Sequence, residues 1–253
     1  MVQATGRKPP APTGPGRFAR SRRQGRPGGA KAQATAGNRW VCLDVGETLI
    51  DETRVWSTWA DVLGVSRLTF MAALGAAIER GGEYRDVFTI VARDNWQDHE
   101  PHVFEAYGGF RPEDLYSDAL PAVEALRGRG YRLAIMANQP ARRTAELREL
   151  GLSTDVMAMS EELGVAKPDP AFFQRLLELA GEPDPADMAH VGDRIDNDVR
   201  PSAAAGMRAV WLRRGPWAFI ARELPDEAAL IVGSLDELVL RIDECWPDGA
   251  RAA

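Results

Sequence analysis

Trp40-Val41-Cys42-Leu43 is a short apolar run that stops abruptly at a carboxylate, Asp44. An apolar run of that length, with no polar residue alternating through it, reads as a strand covered on both faces. Such strands belong to parallel sheets. A polar turn with a glycine, Val45-Gly46-Glu47, then leads to Thr48. In open α/β sheets, ligands bind beyond the carboxyl ends of the strands, which is where Asp44 falls. An aspartate there also serves as a turn or cap residue. Its meaning depends on what the other strands bring to the same edge.

The rest of the chain supplies those strands. After Asp118 the pattern alternates. A helix over 121–127, opened by Pro121 and closed by Gly128 and Gly130, precedes a strand over 131–137. Asn138-Gln139-Pro140 leads into a helix that runs to Leu150, and 156–159 reads as a short strand. Asp169 is placed to cap a helix over 171–179, and 188–191 is a strand running into Gly192-Asp193. A helix from about Asn197 to Gly206, strands at 209–212 and 230–232, and a helix over 235–246 complete the pattern. Alternating strand and helix predicts an α/β fold: a Rossmann-like, three-layer core with a parallel sheet.

Residues 53–116 break the alternation. Val55, Trp56, Trp59, Val62 and Leu63 recur at helical spacing, as do Leu68, Met71, Ala72, Leu74, Gly75 and Ile78, before Gly81-Gly82. Further helices are expected over 86–96 and 103–107. This is an all-helical insertion, so the core divides into 40–52 and 117–253. Trp56, Trp59 and Trp96 read as packing of this lobe rather than as a substrate pocket.

Charge is unevenly spread. The chain of 253 residues carries a net charge of −6, yet its first 39 residues hold nine Lys or Arg and no acid. Rich in Pro, Gly and Ala, residues 1–39 read as a disordered basic tail. The remainder, with 22 basic against 37 acidic side chains, is a poor nucleic-acid partner. No apolar window is long enough to span a bilayer, and no signal peptide is evident. Two cysteines, Cys42 and Cys245, argue against a disulfide framework and fit a reducing cytoplasm. Of the 31 basic residues 28 are arginine, and after Arg39 the single lysine is Lys167. A compact ammonium has been kept at one place.

In the expected topology Asp44, Asn138, Lys167 and the run from Gly192-Asp193 to Asn197-Asp198 converge on one sheet edge. Carboxylates crowded there repel one another unless a divalent cation shares them. An all-oxygen site suits magnesium, which pairs readily with a substrate phosphate. Lysine beside it neutralises further charge. The residues predict a site for a phosphate-like anion.

Asp44 with Thr48, the 135–139 stretch, Lys167-Pro168 and Gly192-Asp193 through Asn197-Asp198 resemble, in order and spacing, the four motifs of the haloacid dehalogenase-like (HAD) hydrolase superfamily. The helical insertion resembles the cap of its C1 subclass. The resemblance implies a phosphatase acting on a small phosphorylated metabolite through an aspartyl-phosphate on Asp44. It implies magnesium held by the Asp44 side chain, the Gly46 carbonyl, Asp193 and Asp198. Lys167 would orient Asp44, Asn138 would hydrogen-bond the phosphoryl group, and Thr48 would steady the loop.

Two positions depart from that pattern. Phosphatases of the family usually carry a second aspartate where this chain has Gly46, and a hydroxyl residue where it has Ala137. The first loss removes a proton-transfer group, a contribution typically of about 10²–10⁴-fold. Two alternatives therefore stand beside the phosphatase: a catalytically weakened anion-binding or regulatory protein, and a dehalogenase. An acid borrowed from elsewhere would rescue the first reading. Glu47 is the nearest spare carboxylate, but it reads as a solvated turn residue. His99, Glu100 and His102 are weaker candidates. Arg194 and the 213–217 segment read as surface ion pairs.

Overall fold

The computed structural model describes residues 38–92 and 95–247. The expected basic tail thus lies outside the described residues except at its last two positions. Six strands form one sheet in the order β3-β2-β1-β4-β5-β6, and every pairing is parallel. They are β1 (Trp40–Leu43), β2 (Arg132–Ala137), β3 (Val156–Met159), β4 (Met188–Gly192), β5 (Arg208–Leu212) and β6 (Leu230–Val232). The helices are α1 (Thr53–Val62), α2 (Arg67–Glu79), α3 (Asp86–Val91), α4 (Glu100–Tyr107), α5 (Ala119–Gly128) and α6 (Arg143–Glu149). They continue with α7 (Ser160–Leu163), α8 (Pro170–Leu179), α9 (Arg200–Ala204), α10 (Gly215–Ile220) and α11 (Leu235–Arg241).

The sheet is covered on both faces, as its unalternating strands require. Val41, Leu43, Leu133, Ile135 and Val191 pack with Ala122, Val123 and Leu126 of α5 and Leu235 and Leu238 of α11. The intervening residues Trp40, Cys42, Ala134 and Met136 pack with Phe172, Phe173 and Leu176 of α8. The predicted α/β three-layer core is therefore the observed one. Local chemistry sets several boundaries. Asp169 Oδ1 accepts the Ala171 N–H at 2.9 Å with Pro170 in the first turn, and Ser66 and Ser234 cap α2 and α11 in the same way.

Between β1 and β2 the described residues form helices and turns, with Ile50 and Leu115 meeting in an isolated bridge. Trp56, Phe70, Leu74 and Phe88 make the core of this lobe, with Trp59 and Trp96 packed against it. The outgoing and returning crossings are laced together: Asp51 N donates to Asp114 O at 2.8 Å and Tyr116 N to Leu49 O at 3.0 Å. Among the described residues no single helix is long and apolar enough to cross a membrane; the bent pair α1 and α2 passes only when taken together.

Three elements differ from expectation. The helix expected over 86–96 ends at Val91, and Trp96 begins a separate 3-10 turn. Trp96 stacks on Phe88 at 4.5 Å, whereas a continuous helix would hold the two about 12 Å apart. The helix expected from Asn197 starts instead as a wide π turn, Ile195–Val199, before α9. In that turn both the Asp198 and Val199 amides return to Arg194 O, which swings Asp198 back toward β4. Finally, α10 begins at Gly215, within the 213–217 segment read as surface ion pairs, so Arg213 and Arg214 directly precede a helix.

Candidate active site

Asp44 follows β1, Asn138 follows β2 and Asp193 follows β4, so the three lie along one edge of the sheet. Lys167 enters from the loop before α8 and Asp198 from the π turn. Lys167 Nζ lies 2.8 Å from Asp44 Oδ1 and 2.5 Å from Asp198 Oδ1, with its side chain only 2% exposed. Asn138 fastens the lysine from the backbone. Its Nδ2 donates to Lys167 O at 2.8 Å, and its Oδ1 accepts the Lys167 N–H at 2.7 Å.

Asp198 is held from several sides. Besides Lys167, its Oδ1 has His190 Nε2 at 3.2 Å, and its Oδ2 accepts the Arg194 N–H at 3.1 Å. Gly192 makes this approach possible: a Cβ there would fall 2.2 Å from the Asp198 Cγ. Burial pushes the Asp198 carboxyl up, but Lys167 and His190 outweigh it and hold the group well below the usual carboxylate range. Burial opposes the charge on Lys167, yet Asp198 and Asp44 keep it above the ordinary lysine value. The Asp44 carboxyl is raised by burial against the pull of Lys167.

Asp193 has no such support. Its Oδ2 is buried without a hydrogen-bond partner, while Trp211 Nε1 secures only its backbone carbonyl at 2.8 Å. Burial, with Asp198 and Asp44 close by, pushes its carboxyl well above the ordinary value. Asp44, Asp193 and Asp198 each offer an oxygen, and these atoms all lie within 4.8 Å of one another. One ammonium cannot offset three crowded carboxylates. An orphaned oxygen in an all-oxygen donor set is what a hard divalent cation fits.

Thr48 is fully buried, with its N–H on Val45 O at 3.3 Å and its carbonyl accepting from Arg214 Nη1 at 3.0 Å. It belongs to the loop behind Asp44, and its own hydroxyl finds no partner.

Glu47 overturns the solvated reading. It is buried, with φ at +49°; Tyr116 Oη donates to its Oε2 at 2.6 Å and the Glu52 N–H to its Oε1 at 3.0 Å. Arg194 forms ion pairs with exposed carboxylates as expected, but its own side chain is largely buried. Its guanidinium pairs with Asp196 at 2.6 Å and Glu83 at 3.5 Å and lies 4.9 Å from the centre of the Trp217 ring. Arg214 pairs with the buried Asp118.

Two residues at this edge were not foreseen. His190 sits within β4 and shares a face with Gly192, a placement that strand alternation alone would have flagged. Glu52, just before α1, brings its carboxylate against Gly46. Burial pushes the Glu52 carboxyl up to about 8, helped by the charges of Glu47 and Asp44. The Trp56 indole lies close enough to oppose this without completing a hydrogen bond.

Residues 38–206 match the family model described as hydrolase, haloacid dehalogenase-like hydrolase. The phosphoserine phosphatase of Thermus thermophilus is 36% identical over 129 residues, 50% of this chain and 50% of that protein. The glyceraldehyde 3-phosphate phosphatase of Methanopyrus kandleri is 30% identical over 151 residues, 55% of this chain and 63% of that protein. The chain thus spans about half to three-fifths of the length of these curated relatives. Among solved structures, the HAD-hydrolase YfnB of Bacillus subtilis bound to magnesium shares the fold with a TM-score of 0.64 at 17% identity, covering 81% of this chain and 98% of that one.

Proposed function

This chain belongs to the haloacid dehalogenase-like hydrolase family, and on that premise we propose that it is a magnesium-dependent phosphatase of small phosphorylated metabolites. The observation that carries the reading is the buried Asp44–Lys167–Asp198 chain beside the unpartnered oxygen of Asp193. The ammonium fixes the Asp44 carboxylate in place. Asp44 attacks phosphorus, forming an aspartyl-phosphate that water then hydrolyses. Lys167 would neutralise the phosphoryl oxygens and Asn138, whose Nδ2 has one further N–H to donate, would hydrogen-bond them, so most of the catalysis is positioning and charge stabilisation. Thr48 keeps the loop closed behind the nucleophile.

Asp44, Asp193, Asp198 and the Gly46 carbonyl would hold the magnesium ion, which supplies Lewis-acid neutralisation of the phosphoryl charge. The helical lobe 53–116 acts as a cap over the edge of the core formed by 40–52 and 117–253 and selects the substrate. Relatives named for phosphoserine and for glyceraldehyde 3-phosphate support a small phosphorylated substrate. Buried free thiols at Cys42 and Cys245 fit a cytoplasmic setting.

The test is turnover of an aryl phosphate with magnesium. Activity that disappears with chelator and in Asp44→Asn supports the reading. Undiminished activity in Asp44→Asn overturns it. Magnesium-dependent binding of beryllofluoride without turnover would favour the regulatory alternative. Release of halide from a haloacid would favour the dehalogenase.

A further inference from the structure

Gly46 leaves this site without a side chain where a phosphatase of this kind needs a proton donor, and the space is not empty. A Cβ built on Gly46 would lie 2.5 Å from Glu52 Oε1, 2.9 Å from Glu52 Cδ and 3.5 Å from Oε2. An aspartate at this position would carry its own carboxylate oxygens about 2.4 Å from that Cβ, by ordinary C–C and C–O bond lengths. Glu52 thus brings an oxygen to about the same distance from that Cβ position as the missing side chain would.

The placement is built in. Glu52 ends the outgoing crossing from the core, immediately before α1, and its N–H is held by Glu47 Oε1 at 3.0 Å. Glu47 is itself anchored by Tyr116 Oη on the returning crossing. Both Glu47 oxygens are therefore engaged, which leaves the Glu52 carboxylate as the group at Gly46.

Resting on the phosphatase reading, we infer that Glu52 is the general acid and base of this site, supplied from the start of the helical lobe in place of the side chain that Gly46 lacks. In the first step Asp44 Oδ bonds to phosphorus and the ester P–O bond breaks. The departing oxygen keeps the electron pair and takes the proton from the Glu52 carboxyl. In the second step the Glu52 carboxylate takes a proton from water as the water oxygen bonds to phosphorus. The P–O bond to Asp44 then breaks, its electron pair returning to the aspartate. Glu52 ends protonated, as it began, and alcohol and phosphate are released. Water is the only co-reactant.

The test compares para-nitrophenyl phosphate, whose leaving group needs no proton, with an alkyl phosphate such as glycerol phosphate, whose leaving group does. Wild-type protein, Glu52→Gln and Glu52→Gln/Gly46→Asp are assayed with magnesium, and melting curves confirm folding. Glu52→Gln is expected to lose about 10²–10⁴-fold on the alkyl ester and less than about tenfold in the formation of aspartyl-phosphate from the aryl ester, followed as the burst of nitrophenol. The double variant, with its carboxylate on residue 46, is expected to regain much of the alkyl activity. Equal losses on both esters, or none on either, would overturn the role of Glu52 while leaving an active wild type as a phosphatase. A wild type that is inactive on both esters would overturn the phosphatase reading, and this inference with it.

Discussion

Arg54 joins the two crossings between core and lobe, and its removal has a calculable consequence. The guanidinium meets Asp114 through Nε at 2.7 Å and Nη2 at 2.5 Å, and reaches the carbonyls of Tyr107 at 2.7 Å and Gly109 at 2.5 Å. It lies 3.8 Å from the Tyr107 ring centre. The Asp114 side chain is 2% exposed and that of Arg54 23%. Removing one partner of a buried pair costs about 3–5 kcal/mol, because the other charge is stranded. Partial exposure of Arg54 places Arg54→Met at the lower end, about 3 kcal/mol. Asp114→Asn keeps an acceptor for the Arg111 N–H, now at 2.8 Å, and should cost about 2 kcal/mol. The double variant should cost about 3 kcal/mol rather than the sum, a coupling of about 2 kcal/mol. Urea unfolding of the four proteins measures it, and Arg54→Met should melt roughly 6–12 °C lower. A coupling below about 0.5 kcal/mol, the value of an exposed pair, would refute the claim that this strap is buried and bidentate.

Three further outcomes are expected. Magnesium at a hundred times its dissociation constant should stabilise the fold by about 2.7 kcal/mol, and Asp193→Asn should shrink that shift; identical melts with and without chelator would refute the metal site. Gly192→Ala should destabilise by about 1–3 kcal/mol, since its Cβ meets the held Asp198 carboxyl at 2.2 Å, whereas Gly46→Ala meets only the tip of Glu52 and should change the urea midpoint little. Lys167→Arg, which keeps the charge, should still abolish aryl phosphate turnover and lower the melting temperature. Wild-type-like behaviour would show that this position asks only for positive charge.

The parallel sheet was legible because its strands are mostly apolar with no polar alternation, and the edge residues because each follows a strand or precedes a helix. Asp44, Asp193 and Lys167 needed no knowledge of long-range packing to be placed. Trp59 and Trp96 were rightly assigned to the lobe's own packing, although α3 ends at Val91 and Trp96 begins a separate turn where helical periodicity predicted continuity. Glu47 was misread because a charged residue in a glycine-containing turn ordinarily faces water. Here the left-handed backbone at Glu47 turns its side chain inward to Tyr116, a residue far along the chain. Glu52 was invisible for a related reason: its meaning comes from the absent Cβ of Gly46, a vacancy that only three-dimensional packing reveals.

Lys167 and Gly46 show how composition and geometry explain each other. In a chain that uses arginine for nearly every cation, the lysine beyond the N-terminal segment is buried where its Nζ touches two carboxylates, at 2.8 and 2.5 Å. A planar guanidinium spreads its charge over a wider fork and does not reproduce a compact ammonium between two carboxylates. Glycine at 46 works in the opposite sense. By giving up a side chain it admits the Glu52 carboxylate from the lobe, so in the proposed mechanism the proton-transfer group and the cap are one element. Substrate enclosure and acid placement are then set by the same crossing, which Glu47, Tyr116, Arg54 and Asp114 hold together. Loosening that crossing should therefore slow esters with poor leaving groups more than it weakens the anion site, because Asp44, Lys167 and Asp198 are fixed by the core alone.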